Sequence, residues 1–172
     1  GLPPGWALMA IGGYGRRQMS LRSDVDFQLL VPDGTAAPEA LMTELLAPLM
    51  AARLRLGHGV RTVSESLALA REDVAFATAM LTARHLAGDA RATESVRAPV
   101  VRLLSGDGQI ALLNWLQQDR ERRIRRLGDT VFVLEPDLKH GAGGLRDAQL
   151  VDWLARLRGE PVDHAVREAW DD

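Results

Sequence analysis

Asp24 and Asp26, one residue apart and preceded by Ser23, are the side chains whose types and spacing best suit chemistry. On an extended backbone, residues two apart point to the same face, so these carboxylates converge. Converging carboxylates seldom serve packing and commonly hold a divalent cation. Upstream lies Gly12-Gly13-Tyr14-Gly15-Arg16-Arg17, where the missing Cβ atoms let backbone N–H groups approach a phosphate chain. The combination reads as a nucleotide-handling site. Gly12 and Gly13 would offer donors to phosphate, while Asp24 and Asp26 would hold Mg²⁺ against a triphosphate. Asp-x-Asp alone is common, and solvated acids at a strand entrance are its plain alternative; the coupled glycines make it specific.

These residues need two strands to hold them. The apolar run Trp6 to Ile11 is short and stopped by glycine, as a buried strand would be, and a helix is expected to begin near Tyr14. Asp24 to Val31 reads as the second strand, with its polar residues at its beginning and Pro32-Asp33-Gly34 as a turn. Leu41, Leu45, Leu49 and Ala52 recur at helical spacing from Pro38 to about Leu54, with Pro48 as a kink point. Gly57-His58-Gly59 is read as a break, Val60 to Val63 as a third strand, and Ser64 as a helix cap.

The remainder is mainly helical. Asp73 caps a helix running through Phe76, Met80, Leu81 and His85 to Gly88; others span Ala92 to Leu104 and start near Asp107. Val131 to Leu134 reads as a strand, Glu135 to Gly144 as a loop, and Leu145 to Leu157 as a last helix closed by Gly159.

The 172 residues suffice for one domain with a core and a helical appendage. A net charge of -2 offers no general attraction for nucleic acid or membrane. The absence of cysteine excludes disulfides, thiolate zinc sites and cysteine nucleophiles, and fits a cytoplasmic protein. No run approaches the roughly 18 apolar residues of a membrane span. The start lacks an initiator Met, and the end follows a helical stretch, so the chain reads as a piece of a longer one. Arg120, Arg122, Arg123, Arg125 and Arg126 form the one basic cluster; diluted by Asp119 and Glu121 and without interleaved aromatics, it reads as a solvated helix face rather than a nucleic-acid surface. The four histidines show no ligand spacing for zinc.

Gly12-Gly13 with Asp24-Val25-Asp26 resembles the signature of the DNA-polymerase-beta-type nucleotidyltransferases. The longer run from Ala10 to Asp26 is similar to the bacterial PII uridylyltransferase/uridylyl-removing family, as are Gly57-His58-Gly59-Val60-Arg61-Thr62, Ala70-Arg71-Glu72-Asp73, Ala87-Gly88-Asp89, Leu134 to Lys139, and Gly143-Gly144-Leu145-Arg146-Asp147. These stretches occur in the family's order across nearly the whole chain. The resemblance implies Mg²⁺-dependent transfer of UMP from UTP to a tyrosine of the PII nitrogen-signalling protein, with release of pyrophosphate. It also implies that hydrolytic removal of UMP and glutamine sensing belong to domains outside this piece.

The sequence departs from the pattern in two places. Arg17-Gln18-Met19 stands where the family commonly has Gly-Glu-Leu, and Gly59 precedes the strand on which many superfamily members carry a third carboxylate. Glu65 lies just past that strand, and Asp137 and Asp147 flank a later glycine loop. Asp147 is the candidate substitute, with capping or salt-bridging at the last helix as its other reading. Arg16 is a phosphate candidate or a surface ion pair. Lys139, beside the loop His140 to Gly144, is a candidate for a phosphate or base contact, with Gly143 and Gly144 permitting close approach.

The expectation is therefore an α/β protein: a polymerase-beta-like core with a small mixed sheet flanked by helices, plus a helical segment. Residues 1–70 would form the catalytic core, and residues 71–172 a helical segment whose glycine loop completes the nucleotide site. Two alternatives are a non-catalytic nucleotide-binding regulatory module and a protein adenylyltransferase.

Overall fold

The structure is a computed structural model describing residues 1–20, 23–35, 39–128, 130 and 135–159. The chain divides into two compact units, Gly1–Arg102 and Leu103–Asp172. The first contains β1 (Ala7–Ala10), α1 (Gly12–Arg16), β2 (Val25–Val31), α2 (Glu39–Ala51), β3 (Leu56–Thr62), α3 (Val63–Glu72), α4 (Val74–Leu81), β4 (Arg84–Gly88) and most of α5 (Ala90–Ser105). This is the expected mixed α/β architecture. The four strands lie in the order β3-β2-β1-β4, with β2 and β3 parallel and the other pairs antiparallel.

Register explains how the sheet carries both a core and a polar site. Leu29 of β2 pairs with Leu8 of β1 and Val60 of β3, so three apolar side chains lie side by side on one face. Trp6, Leu29 and Val31 form a buried cluster there, packed against Leu2, Leu8 and Val60 and against Leu41 and Met42 of α2. Burying one such leucine contributes roughly 1.5–3 kcal/mol. The opposite face carries the alternate set, Asp26, Gln28 and Leu30.

Gln28 is fully buried on that second face, so its amide needs partners. Its Nε2 donates to Ser66 Oγ at 2.8 Å, its Oε1 accepts from Arg61 Nη1 at 3.4 Å, and Ser66 Oγ donates onward to the Thr62 carbonyl at 2.8 Å. Leaving such a buried group unpaired would cost about 1–3 kcal/mol. The network ties β2, β3 and α3 together directly beyond Asp26.

Three local expectations are corrected. Gly57-His58-Gly59 does not interrupt the chain: β3 begins at Leu56 and runs through both glycines, paired residue for residue with β2. Thr62, rather than Ser64, caps α3, through a capping box in which its Oγ1 accepts from the Glu65 N–H and the Glu65 carboxylate accepts from its own N–H. Ser64 Oγ instead donates to Asp33 Oδ2 at 2.7 Å, and this bond, more than the Thr62 hydroxyl, holds the exposed Asp33 carboxyl below its ordinary pKa. Finally, the helix capped by Asp73 stops at Leu81, and Arg84–Gly88 is the edge strand β4, paired with β1. Five residues without clean alternation carry no strand signal of their own; the pairing with β1 decides.

In the second unit, α6 (Gln109–Leu127) and α7 (Leu145–Arg158) carry the helical structure, α7 closed by Gly159 in the left-handed region as expected. The expected strand Val131 to Leu134 lies outside the described residues. Arg123 departs from the reading of a solvated basic face: it is only 7% exposed, whereas Arg122 and Arg125 are exposed and pair along the helix with Asp119 and Glu121. Among the described residues no helix is long and apolar enough to cross a membrane.

Candidate active site

Ile11 leaves β1 with its N–H donated to the Asp26 carbonyl at 3.0 Å, and the chain turns at once into α1. The helix starts at Gly12, earlier than expected. Ile11 provides no side-chain cap, so the first-turn N–H groups of Gly12, Gly13 and Tyr14 belong to the set that has no acceptor within a helix. The turn closes tightly behind them, with Gln18 N–H donated to the Gly13 carbonyl at 2.9 Å and Arg17 in the left-handed region at φ 62°.

Asp26 sits between two glycines. Gly12 has φ 58°, a conformation that favours glycine, and a Cβ there would lie 3.2 Å from Asp26 Oδ2. Gly57 pairs with Asp26 across the β2–β3 ladder, and a Cβ there would fall on Asp26 Oδ1. The carboxylate thus occupies the space that a side chain at Gly57 would fill and would be crowded by one at Gly12. Gly57, not Gly59, stands directly beside the acid, and that site on the neighbouring strand carries no carboxylate.

Asp24 lies just ahead of β2, exposed, with Oδ1 3.0 Å from Arg55 Nε. The adjacent Val25 N–H donates to the Arg55 carbonyl at 2.8 Å, so backbone and side chain of the same residue hold this entrance. Ser23 closes the preceding loop: its Oγ accepts from the Ser20 N–H at 2.9 Å and lies 3.0 Å from Ser20 Oγ. Arg16, in the last turn of α1, donates from Nε to Gln18 Oε1 at 3.1 Å. The structure therefore brings Gly12, Gly13, Arg16, Ser23, Asp24 and Asp26 to one end of the sheet.

Two carboxylates suit a magnesium ion, which takes one or two from protein and fills its octahedral shell with phosphate oxygens and water. Among the described residues no group of three His, Cys, Asp or Glu gathers to hold a metal. The donor set is compatible with an ion that arrives with its nucleotide.

Sequence reasoning missed Arg84. At the start of β4 its Nη2 donates to the Tyr14 carbonyl at 3.1 Å, and its guanidinium lies 5.3 Å from the centre of the Tyr14 ring. Arg55 was also missed. Its interest appears only through Asp24, and no local motif marks either arginine.

The other predicted residues lie in the second unit and organise a loop. Asp137 accepts from the Lys139 and His140 N–H groups at 3.0 and 2.8 Å, and the bond from His140, more than any other, lowers its pKa. Gly143 takes φ 70°, and its N–H donates to Asp147 Oδ2 at 2.9 Å. Asp147 Oδ1 meets Arg123 Nη2 at 2.6 Å, while Arg123 Nη1 donates to the His140 carbonyl at 3.1 Å and its Nε to Asp119 Oδ2 at 3.1 Å. Both Asp147 oxygens are thus engaged in holding the loop, at the start of α7. Lys139 lies on this loop with its carbonyl accepting from the Arg146 N–H at 2.9 Å, and Gly144 precedes α7 as its N-cap. Burial lowers the Arg146 guanidinium from its ordinary value, opposed by the nearby Asp119 charge.

Comparison with known proteins gives this geometry its family. The model of the GlnD PII-uridylyltransferase family matches residues 113–170. A bifunctional uridylyltransferase/uridylyl-removing enzyme of Aromatoleum aromaticum is 37% identical over 159 residues, covering 92% of this chain and 18% of that one. Enzymes of the same name from Mycobacterium tuberculosis and Ruegeria pomeroyi are 42% and 38% identical, covering 88% and 87% of this chain and 19% and 16% of theirs. A solved structure described as a toxin-antitoxin with AMP-PNP aligns at a TM-score of 0.37 and 16% identity, covering 72% of this chain and 87% of that one. The chain belongs to the family of bifunctional uridylyltransferase/uridylyl-removing enzymes, and spans less than a fifth of the length of these relatives.

Proposed function

We propose that this chain is the nucleotidyltransferase part of a PII uridylyltransferase, moving UMP from UTP to a tyrosine hydroxyl of a PII-type signalling protein in a cytoplasmic setting. The observation that carries the reading is the Asp26 carboxylate lodged between Gly12 and Gly57, beside a turn whose first N–H groups have no helical acceptor. A carboxylate confined in this way is pre-organised as a ligand, which lowers the cost of ordering on binding.

Asp24 and Asp26 are the residues that would hold Mg²⁺, which supplies charge neutralisation to the triphosphate when bound. Gly12 and Gly13 direct backbone donors at phosphate oxygens, and Arg16 adds a positive charge at the end of the same turn. Ser23 fixes the loop entering the acidic strand. The tyrosine oxygen forms a bond to the α-phosphorus, the bond from that phosphorus to the β-phosphate bridge breaks, and pyrophosphate and the phenolic proton leave. The protein's contribution is alignment and electrostatic stabilisation. Lys139, Gly143 and Gly144 are proposed nucleotide contacts on their own loop. In this reading Asp147, the candidate third carboxylate, anchors that loop through Arg123 and the Gly143 N–H.

The competing reading, a nucleotide-binding module without turnover, draws on Gly57 standing beside Asp26 where a third acid would complete a metal site. Calorimetric titration with UTP and Mg²⁺, followed by pyrophosphate release with a PII protein, separates the two. Turnover supports transfer; binding without release supports the module. Comparing the four nucleoside triphosphates in the same assay tests uridylyl against adenylyl transfer.

A further inference from the structure

We propose that Arg84 is a positioning residue for the nucleotide site, fixing the backbone of the Gly12–Arg17 turn from the neighbouring strand. The proposal rests on the reading above for its consequence, but its structural basis stands by itself. A five-residue helix cannot hold its shape through internal hydrogen bonds, because nucleation fixes several residues for each bond gained. Its shape must be imposed from outside, particularly at its C-terminal carbonyls.

Arg84 supplies that constraint. Its Nη2 donates to the Tyr14 carbonyl at 3.1 Å, and its Nε approaches the Gly15 carbonyl at 3.4 Å. The planar guanidinium also lies over the Tyr14 ring, 5.3 Å from its centre. One side chain thereby grips two successive carbonyls and the ring of the first of those residues. A cation at the C-terminal end of α1 is also favoured by the helix dipole.

The base of the grip is firm. Arg84 pairs with Ala10 in the sheet, and Ala10 is the last residue of β1 before the turn begins. The turn is pressed against the same segment, since a Cβ on Gly15 would lie 2.6 Å from the Thr82 carbonyl. The sheet, the Thr82–Arg84 segment and the turn therefore share one frame, and the direction of the Gly12 and Gly13 N–H groups follows from it. Lysine would retain the charge but neither the fork nor the flat stacking surface.

The test uses Arg84→Met and Arg84→Lys in the 172-residue chain. Amide hydrogen exchange is followed at Gly15, Arg17 and Gln18, whose N–H groups close the turn, with β2 amides as reference; UTP affinity with Mg²⁺ is measured by calorimetry. In R84M, turn exchange should accelerate about tenfold, the order expected for losing one charge-assisted hydrogen bond, with β2 unchanged and UTP binding weakened by a similar factor. R84K should recover only part of either effect. Unchanged turn exchange in R84M overturns the proposal, as does a loosened turn that binds UTP normally. Full restoration of UTP binding by lysine, with the turn undisturbed throughout, would make Arg84 a simple phosphate contact and also overturn it. If the wild-type chain binds no nucleoside triphosphate, the functional reading fails, while the exchange measurement alone still decides whether Arg84 fixes the turn.

Discussion

Replacing Gly57 by alanine should separate the site from the fold. An alanine Cβ at this position would fall on Asp26 Oδ1, and no other side chain stands in its way. Gly57 is not among the positive-φ glycines, so the strand accepts alanine without backbone strain. What yields is the end of one side chain: Asp26 must leave its rotamer, at about 0.5–1.5 kcal/mol. Alanine also reduces the entropy of the unfolded chain, which contributes roughly 0.4–1 kcal/mol in the opposite direction. The net change in stability should stay within about 1 kcal/mol, or a Tm shift of about 2–4 °C.

Activity should fall much further. Moving the carboxylate proposed to hold the metal by about 1 Å is expected to lower the rate roughly 100-fold. The assay is pyrophosphate release from UTP and Mg²⁺ with a PII protein, beside thermal unfolding of the same samples. Gly59→Ala is the control, because a Cβ there would press on the Arg61 guanidinium rather than on Asp26. A G57A protein that turns over like wild type would refute the idea that the two glycines confine the acid.

Arg123→Met should destabilise the second unit by about 3 kcal/mol, the lower end for breaking a buried ion pair, because Asp119 and Asp147 are left partly exposed; a loss below about 1 kcal/mol in urea unfolding would contradict the anchoring role. Asp137 has a depressed pKa, so its contribution to the loop is present above the ordinary value of 3.8 and is lost as pH falls through the lower folded value. The Asp137 titration followed through the Lys139 and His140 amide resonances should therefore have its midpoint below 3.8; a carboxylate midpoint at or above 3.8 would oppose the assignment. Arg55→Ala removes the exposed partner of Asp24, and Mn²⁺ affinity measured by calorimetry should rise by up to about fivefold, the scale of a surface ion pair. Weaker Mn²⁺ binding would mean that Arg55 assists the site rather than competing for it.

The strands flanking the site were legible because β1 and the buried part of β2 are short apolar runs bounded by glycine or polar residues, and such runs announce themselves locally. The Asp24-Asp26 pair and Gly12-Gly13 stand out as candidates for a chemical reason, the coupling of two acids to a glycine turn, and the structure sets Gly12 against Asp26. Gly57 and Gly59 misled because glycine usually breaks a strand. Here the ladder keeps its register, and Asp26 and Arg61 from the same sheet face occupy the space where the Cβ atoms would be. Arg84 escaped notice because its neighbours, Met80 and Leu81 on one side and Leu86 on the other, continue a helical rhythm, and only pairing with β1 reveals the strand. Arg123 looked like one of several solvated arginines; its burial comes from partners on Asp119, His140 and Asp147, two of them far away in sequence.

If Asp24 and Asp26 together support the proposed nucleotidyl transfer, the double variant Asp24→Asn with Asp26→Asn abolishes it. UMP incorporation into a PII protein and release of pyrophosphate should be followed together, with thermal unfolding as the check on folding. Wild type should form both products in equal amounts, and the double variant neither, while unfolding within a few degrees of wild type. Turnover retained in the purified, folded double variant would contradict it.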